Sequence, residues 1–458
     1  MRILIAGGGQ AASLVATRLI REGNEVVLVE QNPERCHQLE ETLDAKVIQG
    51  NAASIRVLHE ADIRNAEMLI ALTSEDQINV LACLIASVES DVKFKVARLR
   101  THEVNYWRRI LQRAGLHIDL IIHPETEIAD RILRVVRLPG VSDVIDFAEG
   151  RVKLFGMNID EKSWVAYKTV EDLDRAGPPK NSMIALIFRG QQVIVPHGAE
   201  VLNPGDHVYI VTTADELKRV CQFMGLQTQE SLDRVYILGG KQVGIRVAEL
   251  LEPQGVSVKL FERDIARCER IAQILRKTVV LHADGTDETI LAEENIKGAG
   301  AFLAMTNDDE DNLIASLLAR KLGAKKVVAL INRLNYLPMA QRLGINTTVS
   351  PRLAAVDRIL QFVRKGRVLS VTTFREEEAE AIELIAAEGS KYVGRRLREV
   401  RLPRGAIVGA IARPNGEVVV PRGEATIQAG DRVIFCTLES TVPLLESAFL
   451  ADARREWV

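Results

Sequence analysis

Short apolar runs alternate with longer stretches of helical periodicity through the first 140 residues. Arg2–Ala6, Glu25–Glu30, 46–48 and Met68–Ala71 read as strands, and 11–22, Pro33–Thr42, 54–61 and 76–88 as helices. These runs are three to six residues long and apolar throughout, as in a parallel sheet covered on both faces. The intervening helices supply right-handed crossovers. The pattern predicts a doubly wound α/β domain over residues 1–138, where Pro139-Gly140 stops its last helix. From about Val141 to Gly225 the pattern turns strand-rich, with 183–188, 193–195 and 207–211 bounded by Gly and Pro turns.

The pattern then starts again. Leu4-Ile5-Ala6-Gly7-Gly8-Gly9-Gln10 returns as Tyr236-Ile237-Leu238-Gly239-Gly240-Lys241-Gln242, and Leu28-Val29-Glu30 returns as Leu260-Phe261-Glu262. Ala71-Leu72-Thr73-Ser74-Glu75-Asp76 matches Ala304-Met305-Thr306-Asn307-Asp308-Asp309, and Asn79 matches Asn312. Those pairs lie 232 or 233 residues apart. Asp130-Arg131-Ile132-Leu133 also returns, as Asp357-Arg358-Ile359-Leu360, and Pro196 with Gly205-Asp206 returns as Pro421 with Gly430-Asp431. Ordered matches at a nearly constant offset identify a tandem duplication. The 458 residues, about three domains by length alone, become two copies of a two-part unit. The expected domains are 1–138 and 232–364 (Rossmann-like) and 139–226 and 365–450 (small α+β), with a polar linker at 227–231.

Composition narrows the function. Lys plus Arg number 59 against 62 Asp plus Glu, a net charge of −3, where a dedicated nucleic-acid binder shows a basic excess. Aromatics make up 4% of the chain, too few for stacking platforms. No apolar stretch approaches the roughly 20 residues of a membrane span, and Met1 runs straight into a strand, leaving no room for a signal peptide. Five cysteines without close pairing fit a reducing cytoplasm.

The strongest chemical signal is Gly7-Gly8-Gly9-Gln10-Ala11-Ala12, which follows the first strand, opens a helix and fits GxGxxA. Gly7 permits the tight turn, Gly9 lets backbone approach a diphosphate, and a small third residue lets helix and strand pack closely. The helix N-terminus then offers free N–H groups to phosphate. Glu30 ends the second strand about 20 residues on, where an acid accepts hydrogen bonds from ribose hydroxyls. Its charge repels a 2′-phosphate, which favours NAD(H) or an adenine nucleotide over NADP(H). Asn51, Thr73 and Ser74 sit at carboxyl ends of strands, where ligands bind in such sheets, and Arg98 is a candidate phosphate partner. Individually, Thr73 and Ser74 also suit helix caps, and Arg98 a surface charge.

The second loop reads Gly239-Gly240-Lys241-Gln242-Val243-Gly244. Glu262, Asp284 and Thr306 match Glu30, Asn51 and Thr73, and Leu330 falls where Arg98 does. Lys241 replaces the glycine expected against a diphosphate: it either blocks that approach or contacts a phosphate itself. Other features favour structural roles. The eight histidines form no metal-binding spacing. Cys36 and Cys268, following Arg35 and Arg267, read as packing residues. Asp308-Asp309-Glu310-Asp311 suits a helix start, Glu376-Glu377-Glu378 a solvated face, and the helix over Asp130–Arg137 a packing surface.

The doubled order of glycine loop, acidic strand end, Thr-x-x-Asp-x-x-Asn and small β-rich unit resembles the tandem RCK (KTN) family. These are cytosolic regulatory subunits of bacterial Trk potassium uptake systems. The departures are Ala12 for the third glycine, Asn51 for a common Asp, Lys241, and Ala283 opposite Gly50. The resemblance implies a non-enzymatic protein that binds NAD(H) and also ATP or ADP. It further implies a homotetrameric ring peripheral to the cytoplasmic face of the membrane, beneath a TrkH- or TrkG-like potassium-translocating subunit. It implies no nucleic-acid partner and no direct membrane insertion. An NAD-dependent oxidoreductase stays open, disfavoured by the lack of a Tyr-x-x-x-Lys or a His–acid pair; so does a tandem regulator of another cation transporter.

Overall fold

A computed structural model of the chain describes residues 1–100, 104–113, 117–138, 140–190, 192–226, 232–363, 368–374 and 379–449. Pro139, the linker expected at 227–231 and Glu376–378 lie outside the described residues. The chain forms two compact units, Met1–Ile128 with Pro351–Val363, and Ala129–Ser350 with the described residues after 363.

The first unit is built on strands β1 (Arg2–Ala6), β2 (Glu25–Glu30), β3 (Lys46–Gln49), β4 (Met68–Ala71), β5 (Phe94–Arg98) and β6 (Leu120–Ile122). All neighbours pair in parallel, in the order β3-β2-β1-β4-β5-β6. The helices are α1 (Gln10–Arg21), α2 (Pro33–Thr42), α3 (Ile55–Glu60), α4 (Asp76–Glu89) and α5 (Val104–Arg113), and α6 (Pro124–Val136) starts in this unit and runs on into the second. Strand order reverses between β1 and β4, opening a crevice at their carboxyl ends. Leu4, Ala6, Val27, Val29, Leu69 and Ala71 point into one core shared with Leu58 and Ala82. The strands and helices expected over residues 2–88 stand within one residue of the observed bounds, because each apolar run is covered on both faces, whereas the helix expected over Asp130–Arg137 begins six residues earlier, at Pro124. Helix α14 (Pro351–Val363), from the second copy's sequence, also belongs here and packs along α1. Phe362 meets Phe94 edge-on at 5.9 Å between ring centres, and Arg358 lies 3.7 Å from Glu127.

The second unit contains three sheets. Strands β7 (Val141–Phe147), β8 (Val152–Asn158), β9 (Ser182–Arg189), β10 (Gln192–Ile194) and β11 (His207–Thr213), with helices α7 (Val170–Arg175) and α8 (Leu217–Phe223), form an antiparallel sheet ordered β10-β9-β11-β8-β7. The second doubly wound sheet follows, with β12 (Arg234–Leu238), β13 (Ser257–Glu262), β14 (Val279–His282), β15 (Ala301–Ala304), β16 (Val327–Leu330) and β17 (Thr348–Val349) in the order β14-β13-β12-β15-β16-β17. Its helices are α9 (Gln242–Leu251), α10 (Ile265–Ile274), α11 (Glu288–Glu293), α12 (Asp309–Lys321) and α13 (Leu337–Arg342). The last sheet, ordered β18-β19-β22-β20-β21, comprises β18 (Val368–Phe374), β19 (Ala379–Ile385), β20 (Ala406–Ala412), β21 (Val418–Val419) and β22 (Arg432–Leu438), with α15 (Val442–Phe449) beside it. The molecule is thus a tandem duplication of a Rossmann-like domain followed by a small α+β domain.

The two antiparallel sheets bury a common core in which Phe147, Leu154 and Val211 meet Phe374, Ala381 and Cys436. The repeated Gly-Asp pair closes the turn into β11 and into β22: Gly205 and Gly430 have φ of +87° and +83°. Asp206 and Asp431 each accept a backbone N–H at 2.8 Å, from Asn203 and Gln428. All five cysteines are free and buried, and burial pushes the thiols of Cys83, Cys221 and Cys436 up to about 12, which suits packing. No helix among the described residues is long and apolar enough to cross a membrane.

Candidate functional site

Both candidate clefts lie where β1 or β12 turns into its helix. Gly7 adopts φ +106°, a region closed to other residues, and a Cβ there would stand 3.0 Å from the backbone N of Thr73. Gly239 repeats this with φ +108° and a Cβ that would meet Met305 and Thr306 backbone at 2.9 Å. Their N–H groups donate to Val29 and Phe261, at 2.8 and 2.9 Å. The motif's first glycine is therefore required by close approach to the β4 or β15 exit. Gly244 packs so tightly that a Cβ would fall 2.0 Å from the Gly239 carbonyl oxygen, whereas the first copy accommodates fully buried Ala12 at the same place.

The strand-end acid is held by this turn. The Gly8 N–H donates to Glu30 Oε2 at 2.6 Å, and Asn32 N–H to Oε1 at 2.8 Å. Gly240 N–H likewise donates to Glu262 Oε2 at 3.0 Å, and Asp264 N–H to Oε1 at 2.9 Å. Glu30 is half-buried while Glu262 is buried. Burial alone would raise the Glu262 carboxyl. The Asp264 N–H, the Arg267 guanidinium 3.1 Å away and the Gly240 N–H outweigh it and hold the carboxyl below its usual range.

Gly9 precedes α1 with no atom within 4 Å of where a Cβ would stand, so the space over the helix N-terminus is open. Gln10 is exposed and Ala11 buried. Lys241 takes the Gly9 position with an exposed side chain, followed by Gln242 and buried Val243. In the second copy a cavity of about 370 Å³ lies between Gly239, Lys241, Glu262, Arg263, Arg267 and Thr306.

Thr73 and Thr306 play a different part from that of free ligand donors. The Asn79 side-chain oxygen accepts from Thr73 N–H at 2.8 Å and from its hydroxyl at 2.7 Å, and its amide donates to the Thr73 and Arg98 carbonyls at 3.2 and 2.9 Å. Asn312 does the same for Thr306 and the Leu330 carbonyl, which makes Leu330 the structural counterpart of Arg98. The Thr-x-x-Asp-x-x-Asn run is thus a clamp across two strand ends. Its Asp takes part: Asp76 accepts the Arg100 N–H at 2.9 Å, and Asp309 those of Asn332 and Arg333 at 2.8 and 2.7 Å. Ser74 is exposed at the strand exit. Asn51, also exposed, closes its own turn by accepting Ala53 N–H at 2.8 Å, just past the Gly50 N–H bond to the Glu30 carbonyl.

Arg98 is largely buried. Burial first, then the neighbouring Arg100, push its guanidinium down to about 10, with Glu125 and Asp76 opposing. Its Nε has no hydrogen-bond partner among the described residues. Asp284 is held below its usual range: burial opposes ionisation, but the Thr286 hydroxyl and Arg263 overcome it. Of the remaining candidates, Asp308 caps α12 by accepting Asp311 N–H at 2.9 Å. The Cys36 and Cys268 thiols donate to the Glu30 and Glu262 carbonyls.

Three arginines near these acids escaped sequence reasoning. Arg35 Nε donates to the Gly8 carbonyl at 2.7 Å, and Arg267 pairs with Glu262; an arginine five residues past the strand-end acid in both copies was the available signal. Arg263 reaches Asp284 at 2.7 Å, Asp311 at 3.0 Å and the Thr286 hydroxyl at 3.0 Å. Its counterpart is Gln31, so duplication gave no hint of it.

Two domain families match this layout in alternation: the TrkA-N domain over residues 3–124 and 235–351, and the TrkA-C domain over 154–225 and 381–450. The chain belongs to the TrkA family. Trk system potassium uptake protein TrkA of Azorhizobium caulinodans is 34% identical over 453 residues, 98% of both chains. The Haemophilus influenzae protein of that name is 34% identical over 99% of both, and the Halomonas elongata one 33% over 96% of both. Among solved structures, the GsuK channel bound to NAD aligns with a TM-score of 0.59 at 20% identity, over 98% of this chain and 78% of that one. The GsuK RCK domain aligns with the same score over 98% and 94%. At 20% identity these likenesses show a shared fold.

Proposed function

We propose that the chain is a nucleotide-sensing regulatory subunit of a Trk-type potassium uptake system. The observation that carries this is its relation, across both copies and nearly full length, to TrkA proteins named for potassium uptake. On this reading it is no enzyme. It works at the cytoplasmic face of the membrane, as a homotetramer against a TrkH- or TrkG-like potassium-translocating subunit.

The first cleft has the features a dinucleotide requires: open space over the α1 N-terminus at Gly9, a strained Gly7 turn, and a half-buried Glu30 positioned by Gly8. Gly7, Gly8, Gly9, Gln10 and Ala11 would face the diphosphate of NAD(H) with backbone, and Glu30 the ribose hydroxyls. Asn51, Ser74 and Arg98 complete the proposed rim. GsuK has been solved with NAD and with ADP, so the fold admits both ligand classes, and ATP or ADP is proposed for this cleft or the second one. Binding regulates flux only if two conformations of the assembly hold nucleotide with different affinity; α6, leading out of the first domain, is the proposed route.

Glu30→Ala is expected to weaken nucleotide binding roughly 10- to 100-fold, the loss of hydrogen bonds to a charged group, read by calorimetric titration of the full-length protein. Unchanged affinity and unchanged nucleotide dependence of potassium flux would rule out this site. In the second cleft, Lys241→Gly is expected to raise NAD(H) affinity by clearing the diphosphate path. No gain there would mean that Glu262, already engaged by Arg267, is what limits binding.

A further inference from the structure

The second small α+β domain carries charge that its fold does not need. From Lys391 to Arg404, fourteen residues hold Lys391, Arg395, Arg396, Arg398, Arg401 and Arg404 against a single acid, Glu399. All six cations are exposed. The rest of the chain is consequently eight charges negative. The equivalent stretch of the first copy, residues 164–180, balances Lys168, Arg175 and Lys180 against Glu171, Asp172 and Asp174. Both stretches do the same structural work, forming isolated bridges back to their own domains at Thr169–Val201 and at Val393–Ile427 and Arg396–Thr426. A neutral sequence suffices for that work.

Folding uses only part of the charge. Arg396 and Arg398 pair with Glu424. The side chains of Lys391, Arg395, Arg401 and Arg404 have no ion-pair or hydrogen-bond partner among the described residues. The segment flanks α15 at both ends: Lys391 N–H donates to the Ala448 carbonyl at 3.2 Å, and the Thr441 hydroxyl to that of Arg404 at 3.3 Å. On that helix Leu444 is 58% exposed.

We propose that this basic edge docks on the surface of an anionic phospholipid bilayer, by charge and without insertion. The inference stands on the charge pattern and does not depend on the nucleotide reading. Exposed cations with no partner among the described residues suit a diffuse, laterally mobile field of phosphates, and arginine forks match phosphate oxygens in pairs. A protein partner requires a desolvated apolar centre, and along this segment the exposed side chains are the charged ones, Gly394 being the one other exposed residue and Tyr392 buried. Single-stranded nucleic acid requires exposed aromatics for stacking, which the segment lacks. Cations at an anionic leaflet each contribute about fivefold to partitioning.

The test is co-sedimentation of the full-length protein with vesicles of phosphatidylglycerol and phosphatidylcholine, or of phosphatidylcholine alone. Binding is expected only to the anionic vesicles and is expected to fall as salt is raised. The Arg395→Gln/Arg401→Gln/Arg404→Gln variant is expected to lose on the order of 100-fold, with unchanged melting and nucleotide affinity to show that it is folded. Lys168→Gln/Arg175→Gln/Lys180→Gln in the first copy is expected to change partitioning less than twofold. The proposal is overturned if the arginine variant binds anionic vesicles like the parent. It is equally overturned if the parent binds neutral vesicles as well, if the first-copy variant loses as much, or if the defect shows only with membranes containing a protein partner.

Discussion

Replacing Lys326 with methionine is expected to abolish a rise in stability that the parent protein shows between neutral and alkaline pH. Lys326 precedes β16 and is buried in the second unit. Its ammonium donates to the Val141 carbonyl at the start of β7, so it joins the second Rossmann-like domain to the first small α+β domain. Burial pushes its pKa down to about 7. Asp143 pulls the other way, but its carboxylate is already bidentate to Arg131, at 3.1 and 2.5 Å. The unfolded chain keeps this proton up to about pH 10.5, whereas the folded one releases it near 7. Between those values unfolding takes up a proton, so stability climbs with pH, by about 5 kcal/mol over the full window. Below pH 7 the charged form is buried and the cost is complete. Methionine carries no proton in either state. Hydrogen exchange at the β16 and β7 amides, corrected for intrinsic rates and followed from pH 6 to 10, measures the difference between the two proteins. Parallel profiles would show that Lys326 titrates normally. Loss of the bond to Val141 adds an offset independent of pH.

Asn312→Ala is expected to destabilise the second Rossmann-like domain by about 4 kcal/mol, and Asn79→Ala to do the same to the first. Both side chains are fully buried and make four hydrogen bonds apiece, to Thr306 or Thr73 and to the carbonyl of the neighbouring strand's last residue. Alanine leaves an N–H and two carbonyls unpaired, at about 1–3 kcal/mol for each group that water cannot reach. Calorimetry should show one transition shifted down by about 10 °C while the other stays in place. A loss below about 1 kcal/mol would mean that the strand ends relax and find water. Asn312→Asp, which keeps the acceptor and removes the donor, should fall between parent and alanine.

The clamp shows how much of the site was legible. Thr73, Asp76 and Asn79, with their partners in the second copy, were visible as a repeated spacing, and their position at a carboxyl strand end followed from the element pattern. That Asn79 absorbs the Thr73 hydroxyl was not, because the pairing also needs the Arg98 carbonyl, delivered by a strand 19 residues further on. Gly7 and Glu30 were readable because their roles depend on one strand–turn–helix and the strand beside it. Arg263 was hidden: its partners Asp284, Thr286 and Asp311 arrive from the exits of two other strands.

The sequence by itself determined the duplication, the order of helices and strands over residues 2–88, and the residues forming the two glycine turns. Those depend on local backbone geometry and on periodicities of 2 and 3.6 residues, written in consecutive positions. Tertiary structure decided the order of strands in the antiparallel sheets, the packing of α14 against α1, and the common core of the small domains. It also decided which carboxylates are half-buried, as Glu30 is, and which are sealed by an arginine, as Glu262 is. Burial and pairing arise where chain segments distant in sequence converge, and no local pattern encodes that convergence.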